Sequence, residues 1–338
     1  MLSVTVVALE GALASSVTIT LDVLAMANRT CINAGRPPAF DVRLEGSGAH
    51  LFRPFLAFPE AAHYLPELMI VPAQGFSKAP SYEERLAQRD AEDARSLILQ
   101  AAREGAHVAS SCTGTLLVGS SGLLTGRRAT TAWWLAPIFA ELFPGVRLDT
   151  SELVLTDGNC TTAGAAMAQM DLMVGLVARY AGAEVADGCA RKMVLDQRRS
   201  QTPYLAIGLL AASSETIDKA AAWVRPRMTE NIGVNDIARA VGQSARTFSR
   251  RVAAATGLSP IQFLQQLRVE RAVELIESSA LPFEEIAYRV GYADPSTLRV
   301  LVRRATGLGP RDLRLRANGS RSRTYSLARA GERPRRAA

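Results

Sequence analysis

Ser110-Ser-Cys112-Thr-Gly114 is the segment of this chain best equipped for covalent chemistry. It follows the β-rich run Ala106-His-Val-Ala109 and opens the helical run Thr115 to Ser120. A thiol at a strand-to-helix turn sits beside free backbone N–H groups and the positive end of a helix. That setting lowers a thiol pKa and can stabilise an oxyanion. The same turn, sharpened by a following glycine, is the nucleophile elbow of hydrolases. Small residues with a cysteine also pack tightly in cores, so a structural role stands as the alternative.

A different chemistry is carried by arginine in the last third of the chain, within a repeat of about fifty residues. Ile237-Ala238-x-x-Val241-Gly242 recurs as Ile286-Ala287-x-x-Val290-Gly291, and Ala255-Thr-Gly-Leu-Ser-Pro260 recurs as Ala305-Thr-Gly-Leu-Gly-Pro310. Each unit reads as a short helix, a glycine turn with Ser244 or Asp294 as N-cap, and a second helix ending at glycine. The second helices are expected over roughly Ala245 to Thr256 and Ser296 to Thr306. This is the helix-turn-helix pattern, whose second helix normally lies in the DNA major groove. In the first unit Phe248 and Val252 mark the inner face, leaving Arg246, Ser249, Arg250 and Arg251 outward. In the second, Leu298, Leu301 and Val302 pack inward, while Ser296, Arg299, Arg303 and Arg304 project. Arginine both attracts phosphate and reads guanine bidentately, so the pattern favours double-stranded DNA over a purely structural helical core.

The charge partition agrees. Of the 39 Lys+Arg and 32 Asp+Glu, residues 217–338 hold 22 and 11, a net +11; residues 1–216 hold 17 and 21, a net −4. Part of the basic excess lies in residues 319–338, an Arg-rich, apolar-poor tail expected to be disordered, with auxiliary phosphate binding or no role as its two readings.

The elements that must position Cys112 are of another kind. Val4-Thr-Val-Val-Ala-Leu9, Leu68-Met-Ile-Val71 and Ala106–Ala109 are strands, with helical stretches such as 83–103 between them. Alternation of this sort predicts a parallel sheet with helices on both faces, an α/β sandwich with a core of its own. Asn28 to Phe40 reads as a loop, and 196–216 as the interdomain linker.

Residues 217 to about 316 resemble the AraC/XylS DNA-binding domain, in which a long helix, here Pro260 to about Glu277, joins two helix-turn-helix units. The marks are Ile286-Ala-x-x-Val-Gly-Tyr292 and Gly307-x-x-Pro310-x-x-Leu313-Arg314. The resemblance implies that Arg246, Ser249 and Arg250 face bases in the first unit, and Ser296 and Arg299 in the second. Val300 stands where many relatives have arginine. The first unit is therefore expected to read sequence and the second mainly to hold the backbone.

Val71-Pro-Ala-Gln-Gly75, the Cys112 turn, Gly122-Leu-Leu-Thr-Gly126-Arg-Arg-Ala-Thr-Thr131 and Thr161-Thr-Ala-Gly164 with Asp171 resemble the PfpI-like, class I glutamine amidotransferase-like superfamily. More narrowly they resemble the flavodoxin-like sensor domain of GlxA-type regulators, where that domain precedes an AraC-type domain. Hydrolytic relatives carry a His shortly after the Thr-Thr of the Ala129–Thr131 strand, where this chain has Ala132. Others carry a Glu at the place of Ser16. The resemblance thus implies a small-molecule effector site rather than turnover, with a cysteine-dependent hydrolase or amidase bearing a DNA-binding appendage as the alternative. Cys112 and Thr113 would offer backbone N–H groups, Gln74 and Gly75 the opposite rim, Trp133 an aromatic wall, and Ser16 would lie nearby. Trp133 and Trp134 read equally as core or dimer-interface aromatics.

Four widely spaced cysteines form no disulfide framework or C-x-x-C metal site, and no metal or cofactor is expected. No export signal or apolar run of about 18 residues is visible, which predicts a cytoplasmic protein with no membrane contact. The expected division is 1–195 for sensing and dimerisation, 196–216 linker, 217–318 for DNA binding and 319–338 tail. The partners are promoter DNA, an effector and a second copy of the chain, with RNA polymerase a further candidate.

Overall fold

The chain is described here from a computed structural model covering residues 1–62, 65–75, 81–195, 214–256 and 258–320. Its strands are β1 (Leu2–Val7), β2 (Phe40–Glu45), β3 (Leu68–Val71), β4 (His107–Ser111), β5 (Arg128–Ala129), β6 (Arg147–Leu148), β7 (Val154–Asp157) and β8 (Cys160–Ala163). Six of them form one sheet in the order β2-β1-β3-β4-β8-β7, and β5 pairs with β6. Every pairing in the large sheet is parallel except that of β7 with β8, where Val154 lies opposite Ala163.

Alternation along the central strands sorts the core into two layers, because successive side chains leave opposite faces of a strand. Val4, Val6, Leu68, Ile70 and Ala109 pack on one side. They meet α1 (Ala14–Asn33), α7 (Ala168–Ala181) and α8 (Ala183–Lys192) through Leu24, Leu172 and Val185. Val7, Met69, Val71 and Val108 pack on the other, with Ile98, Leu116 and Phe139. Those three lie on α4 (Arg89–Arg103), α5 (Gly114–Ser120) and α6 (Ala136–Leu142). Short helices α2 (Ala49–Phe52) and α3 (Tyr82–Leu86) complete the domain. The expected parallel sheet with helices on both faces is what the strands build, plus one antiparallel edge strand.

One local expectation is corrected. Asn28 to Phe40 is not a loop throughout, since α1 runs to Asn33. Asn28 is buried in that helix; its Nδ2 donates to the Phe40 carbonyl and its Oδ1 accepts from the Phe40 N–H, both at 2.8 Å. An asparagine is a poor helix former by propensity, but here its amide saturates the first residue of β2.

The C-terminal domain is helical: α9 (Glu215–Val224), α10 (Val234–Ala240), α11 (Ala245–Thr256), α12 (Pro260–Ser278), α13 (Phe283–Arg289), α14 (Pro295–Thr306) and α15 (Pro310–Ser320). The α12 helix serves both halves of the domain. Phe263, Leu264 and Leu267 enter the core around Phe248 and Val252, while Ala272, Leu275 and Ile276 enter the one around Leu298 and Val302. Gly291 must be glycine: it takes φ +82°, and a Cβ there would meet the Met228 carbonyl oxygen at 2.0 Å.

The two domains touch. Trp133, from the 3-10 turn Trp133–Leu135, is 6% exposed and belongs to the core formed by Ile217, Val224, Phe248 and Val252. Beside it, the Thr150 hydroxyl donates to the Thr256 carbonyl at the end of α11 over 3.4 Å. The linker expected over 196–216 lies outside the described residues up to 213, and its last two residues are not linker, since α9 already begins at Glu215. The tail beyond residue 320 is likewise outside them.

Candidate functional site

Two second helices, α11 and α14, present the residues expected to meet DNA. On α11 the Phe248 and Val252 side chains are fully buried. The opposite face then follows from helical spacing. Arg246 and Arg250 are exposed, four residues apart, with no hydrogen bond or ion pair to another described residue. Arg251 is tied instead to the Thr216 hydroxyl at 3.2 Å. The Ser249 hydroxyl donates to its own helix, at the Ala245 carbonyl (2.7 Å).

The α14 helix is capped more elaborately. The Asp294 carboxylate accepts from the Ser296 and Thr297 N–H groups at 2.9 and 3.3 Å, and from both their hydroxyls. Those bonds, the Ser296 hydroxyl first, hold its carboxyl down at about 2. Arg299 is drawn back onto α13, with its guanidinium 5.2 Å from the Phe283 ring centre and 4.0 Å from Glu284. Arg303 is exposed near the helix C-terminus, where a cation also favours the helix dipole. The second unit thus has Ser296 and Arg299 engaged within the domain, whereas the first keeps Arg246 and Arg250 open.

At the end of β4 the chain turns sharply. Cys112 takes φ +52°, outside the usual range for a side-chain-bearing residue, and its N–H donates to the carbonyls of Ala163 and Gly164 at 3.1 and 2.8 Å. Such strain is characteristic of nucleophile elbows. Cys112 is only 5% exposed. Burial pushes its pKa up, while contacts from Thr113 and the Ala166 N–H pull only partly the other way. The sequence expectation of a thiol activated by the turn is therefore not met: desolvation outweighs the helix end.

No base stands ready to deprotonate it among the described histidines. His107 starts β4 and is five residues away along an extended strand, about 16 Å. It bonds Thr161 Oγ1 at 2.8 Å, and burial with the Arg179 charge holds its pKa down at about 4. His50 lies on α2 against the Ser47 carbonyl, and His63 falls outside the described residues.

The residues nominated around Cys112 do converge on this edge of the sheet, though several are already satisfied by backbone. Gln74 Oε1 accepts from Leu9 N–H at 2.9 Å, and its Nε2 donates to the carbonyls of Val7 and Pro72 at 3.0 and 2.8 Å. The buried Ser16 hydroxyl accepts from Ala73 N–H at 3.0 Å. Gly75 abuts Gly11 so closely that a Cβ would lie 1.6 Å from its carbonyl oxygen. The Thr113 hydroxyl donates to the Gln74 carbonyl at 2.6 Å. These four hold the loops that frame the elbow, and the amide of Gln74 is fully spent doing so. Trp133 is placed elsewhere, in the core of the C-terminal helical domain, with Trp134 edge-on at 5.3 Å between ring centres.

Sequence reasoning missed three features around the elbow. Tyr82 opens α3 close enough for burial and Cys112 to push its phenol pKa up. The Ser111 hydroxyl is buried without a hydrogen-bond partner among the described residues. Thr131 donates its hydroxyl to the Cys112 carbonyl at 2.8 Å. A lone tyrosine thirty residues upstream carries no local signal of this contact, but the Thr-Thr of Thr130-Thr131 did.

A cavity of about 550 Å³ opens at the opposite end of the sheet, lined by His107, Glu67, Arg179 and Tyr180 among others. Among the described residues no three or more His, Cys, Asp or Glu are grouped to hold a metal ion, and no helix is long and apolar enough to cross a membrane.

Comparison with known proteins places this geometry. Residues 237–316, which span both units, match the family described as a helix-turn-helix domain. The HTH-type transcriptional regulator GbdR of Pseudomonas aeruginosa is 26% identical over 257 residues, covering 73% of this chain and 70% of that protein. The HTH-type transcriptional regulator GlxA of Rhizobium meliloti is 26% identical over 228 residues, 64% of this chain and 67% of that one. Both alignments are longer than the C-terminal domain and so extend into the N-terminal one. A crystal structure of an AraC family transcriptional regulator from Pseudomonas putida aligns over 57% of this chain and all of that one, with 20% identity and a TM-score of 0.43. The chain is a DNA-binding transcription regulator with a C-terminal helix-turn-helix domain, and it is similar beyond that domain to HTH-type transcriptional regulators such as GbdR and GlxA.

Proposed function

We propose that residues 1–195 sense a small metabolite at the Cys112 elbow without turnover, and that ligand occupancy is passed to a DNA-binding domain at 217–318 through Trp133. The observation that carries this is one short run of chain: Thr131 holds the Cys112 carbonyl, and two residues later Trp133 is buried in the core behind α11. A ligand that displaces the elbow therefore acts on the 3-10 turn that anchors the DNA-binding domain, and shifts the populations of its geometries. The thiol, its pKa raised by burial and with no described histidine beside it, supports binding over hydrolysis. The unpartnered Ser111 hydroxyl supports a polar ligand, and a nitrogenous metabolite is the class the resemblance favours.

On the DNA side, α11 reads bases with Arg246, Ser249 and Arg250, and α14 holds the duplex with Ser296, Arg299 and Arg303. Two such helices in one chain enter successive major grooves roughly 34 Å apart. The protein works in the cytoplasm as a homodimer joined by its N-terminal domains, with the chain from 196 up to α9 as linker, a basic C-terminal tail and RNA polymerase as a further partner; these assignments rest on the sequence and the resemblance.

The test is a thermal-shift screen of amines and amino-acid derivatives, followed by DNA binding with each hit. A stabilising compound is expected to add about 2.7 kcal/mol at 100 times its dissociation constant and to alter DNA affinity, and Cys112→Trp is expected to abolish both. A broad screen without hits contradicts sensing, and amidase or hydrolase turnover lost in Cys112→Ser contradicts the non-enzymatic reading.

A further inference from the structure

The outward face of α14 carries an apolar residue at its centre. Ser296, Arg299, Val300 and Arg303 occupy positions i, i+3, i+4 and i+7, one stripe of the helix, while Leu298, Val302 and Ala305 are buried on the other side. Val300 is 67% exposed. A β-branched residue gains nothing for an exposed helix position by propensity, and exposure gives its methyl groups nothing to pack on. Its stripe neighbours are committed: Ser296 to the Asp294 carboxylate, Arg299 to Phe283 and Glu284. Val300 is thus the uncommitted feature in the middle of the face, flanked by the exposed Arg303 and Arg304, which suit phosphates.

We infer that Val300 reads thymine, by packing its methyl groups on the C5-methyl of a thymine in the major groove entered by α14. That methyl is the one apolar group presented on the base edges there, and no other base offers it. The second unit then contributes sequence discrimination through an apolar contact, where the first uses guanidinium groups. The inference rests on the reading of the chain as a DNA-binding regulator, with α14 as the second groove-binding helix.

The experiment first selects a binding site from random duplexes with the full chain, then replaces each thymine of that site singly with deoxyuridine, which lacks only the methyl. One position in the half-site distal to the α11 contacts is expected to lose about fourfold in affinity, the worth of one buried methyl group. Val300→Ala is expected to lose a similar factor on the thymine duplex and to be indifferent to deoxyuridine at that position. Equal affinity of the wild-type chain for every deoxyuridine duplex overturns the inference, as does a full deoxyuridine penalty retained in Val300→Ala; in either case DNA binding itself stands, and Val300 instead serves a protein partner. Failure to select any sequence overturns the DNA reading and the inference together.

Discussion

Thr131 and Trp133 face opposite ways across a two-residue step: the first donates its hydroxyl to the Cys112 carbonyl at 2.8 Å, and the second fills the core of the DNA-binding domain. The elbow and α11 are therefore joined by packed protein as well as by the chain that links the domains. An indole buried in a neighbouring core is costly to remove, because it leaves a large cavity. Trp133→Ala is expected to destabilise the DNA-binding domain by about 3–5 kcal/mol, read as a lower urea midpoint for the full chain. An unchanged midpoint contradicts the docking of the two domains.

Thr131→Val keeps the shape of the side chain and deletes its hydrogen bond. The buried Cys112 carbonyl then loses that donor, and a loss of about 1–2 kcal/mol is expected in chemical denaturation. If the pathway through Trp133 matters, the variant also alters how strongly an effector changes DNA affinity, while DNA binding without effector stays near wild type. Equal effector response in both proteins contradicts the pathway.

Cys112 is expected to alkylate slowly at neutral pH. Burial raises its pKa, so little thiolate is present, and the rate with iodoacetamide should climb only above the range of an ordinary exposed thiol. The same shift has a stability sign. A group whose folded pKa is raised contributes stability below its unfolded pKa and loses it as pH rises through the folded one; Cys160 and Cys189 are raised by burial too. Fast alkylation of Cys112 at pH 7 contradicts this and revives a catalytic thiol.

His107 has the opposite sign. Its folded pKa, held at about 4 by burial and by Arg179, lies below the ordinary 6.5. The stability this represents is present above pH 6.5 and is lost as pH falls from there toward 4, at no more than about 1.4 kcal/mol per pH unit. Melting temperatures from pH 7 to 4 should fall more steeply for the wild-type chain than for His107→Gln. Parallel curves contradict the buried neutral imidazole.

What was legible in the sequence follows from how local each signal is. The helix-turn-helix units announced themselves because their punctuation is near at hand: Gly242 and Gly291 in the turns, Ser244 and Asp294 at the caps, Phe248 and Leu298 on the inner faces, and α11 and α14 begin and end within a residue of expectation. The sheet was legible in the apolar runs of β1, β3 and β4. Tertiary choices were not. Nothing near Gln74 reveals that three backbone groups exhaust its amide, and nothing near Trp133 says which of two domains will bury it. The Cys112 turn was recognisable, but whether burial or the helix end controls its thiol depends on how the surrounding chain packs over it, the Ala166 N–H included.

Base reading by the open guanidinium of Arg250 on α11 is tested most directly by fluorescence anisotropy on a selected duplex and a random one. Arg250→Ala is expected to weaken binding to the selected duplex by about 1–3 kcal/mol, a factor of about 5 to 150, and to affect the random duplex far less, so that base preference relaxes. Equal weakening on both duplexes would reduce Arg250 to a phosphate contact and contradict the central claim.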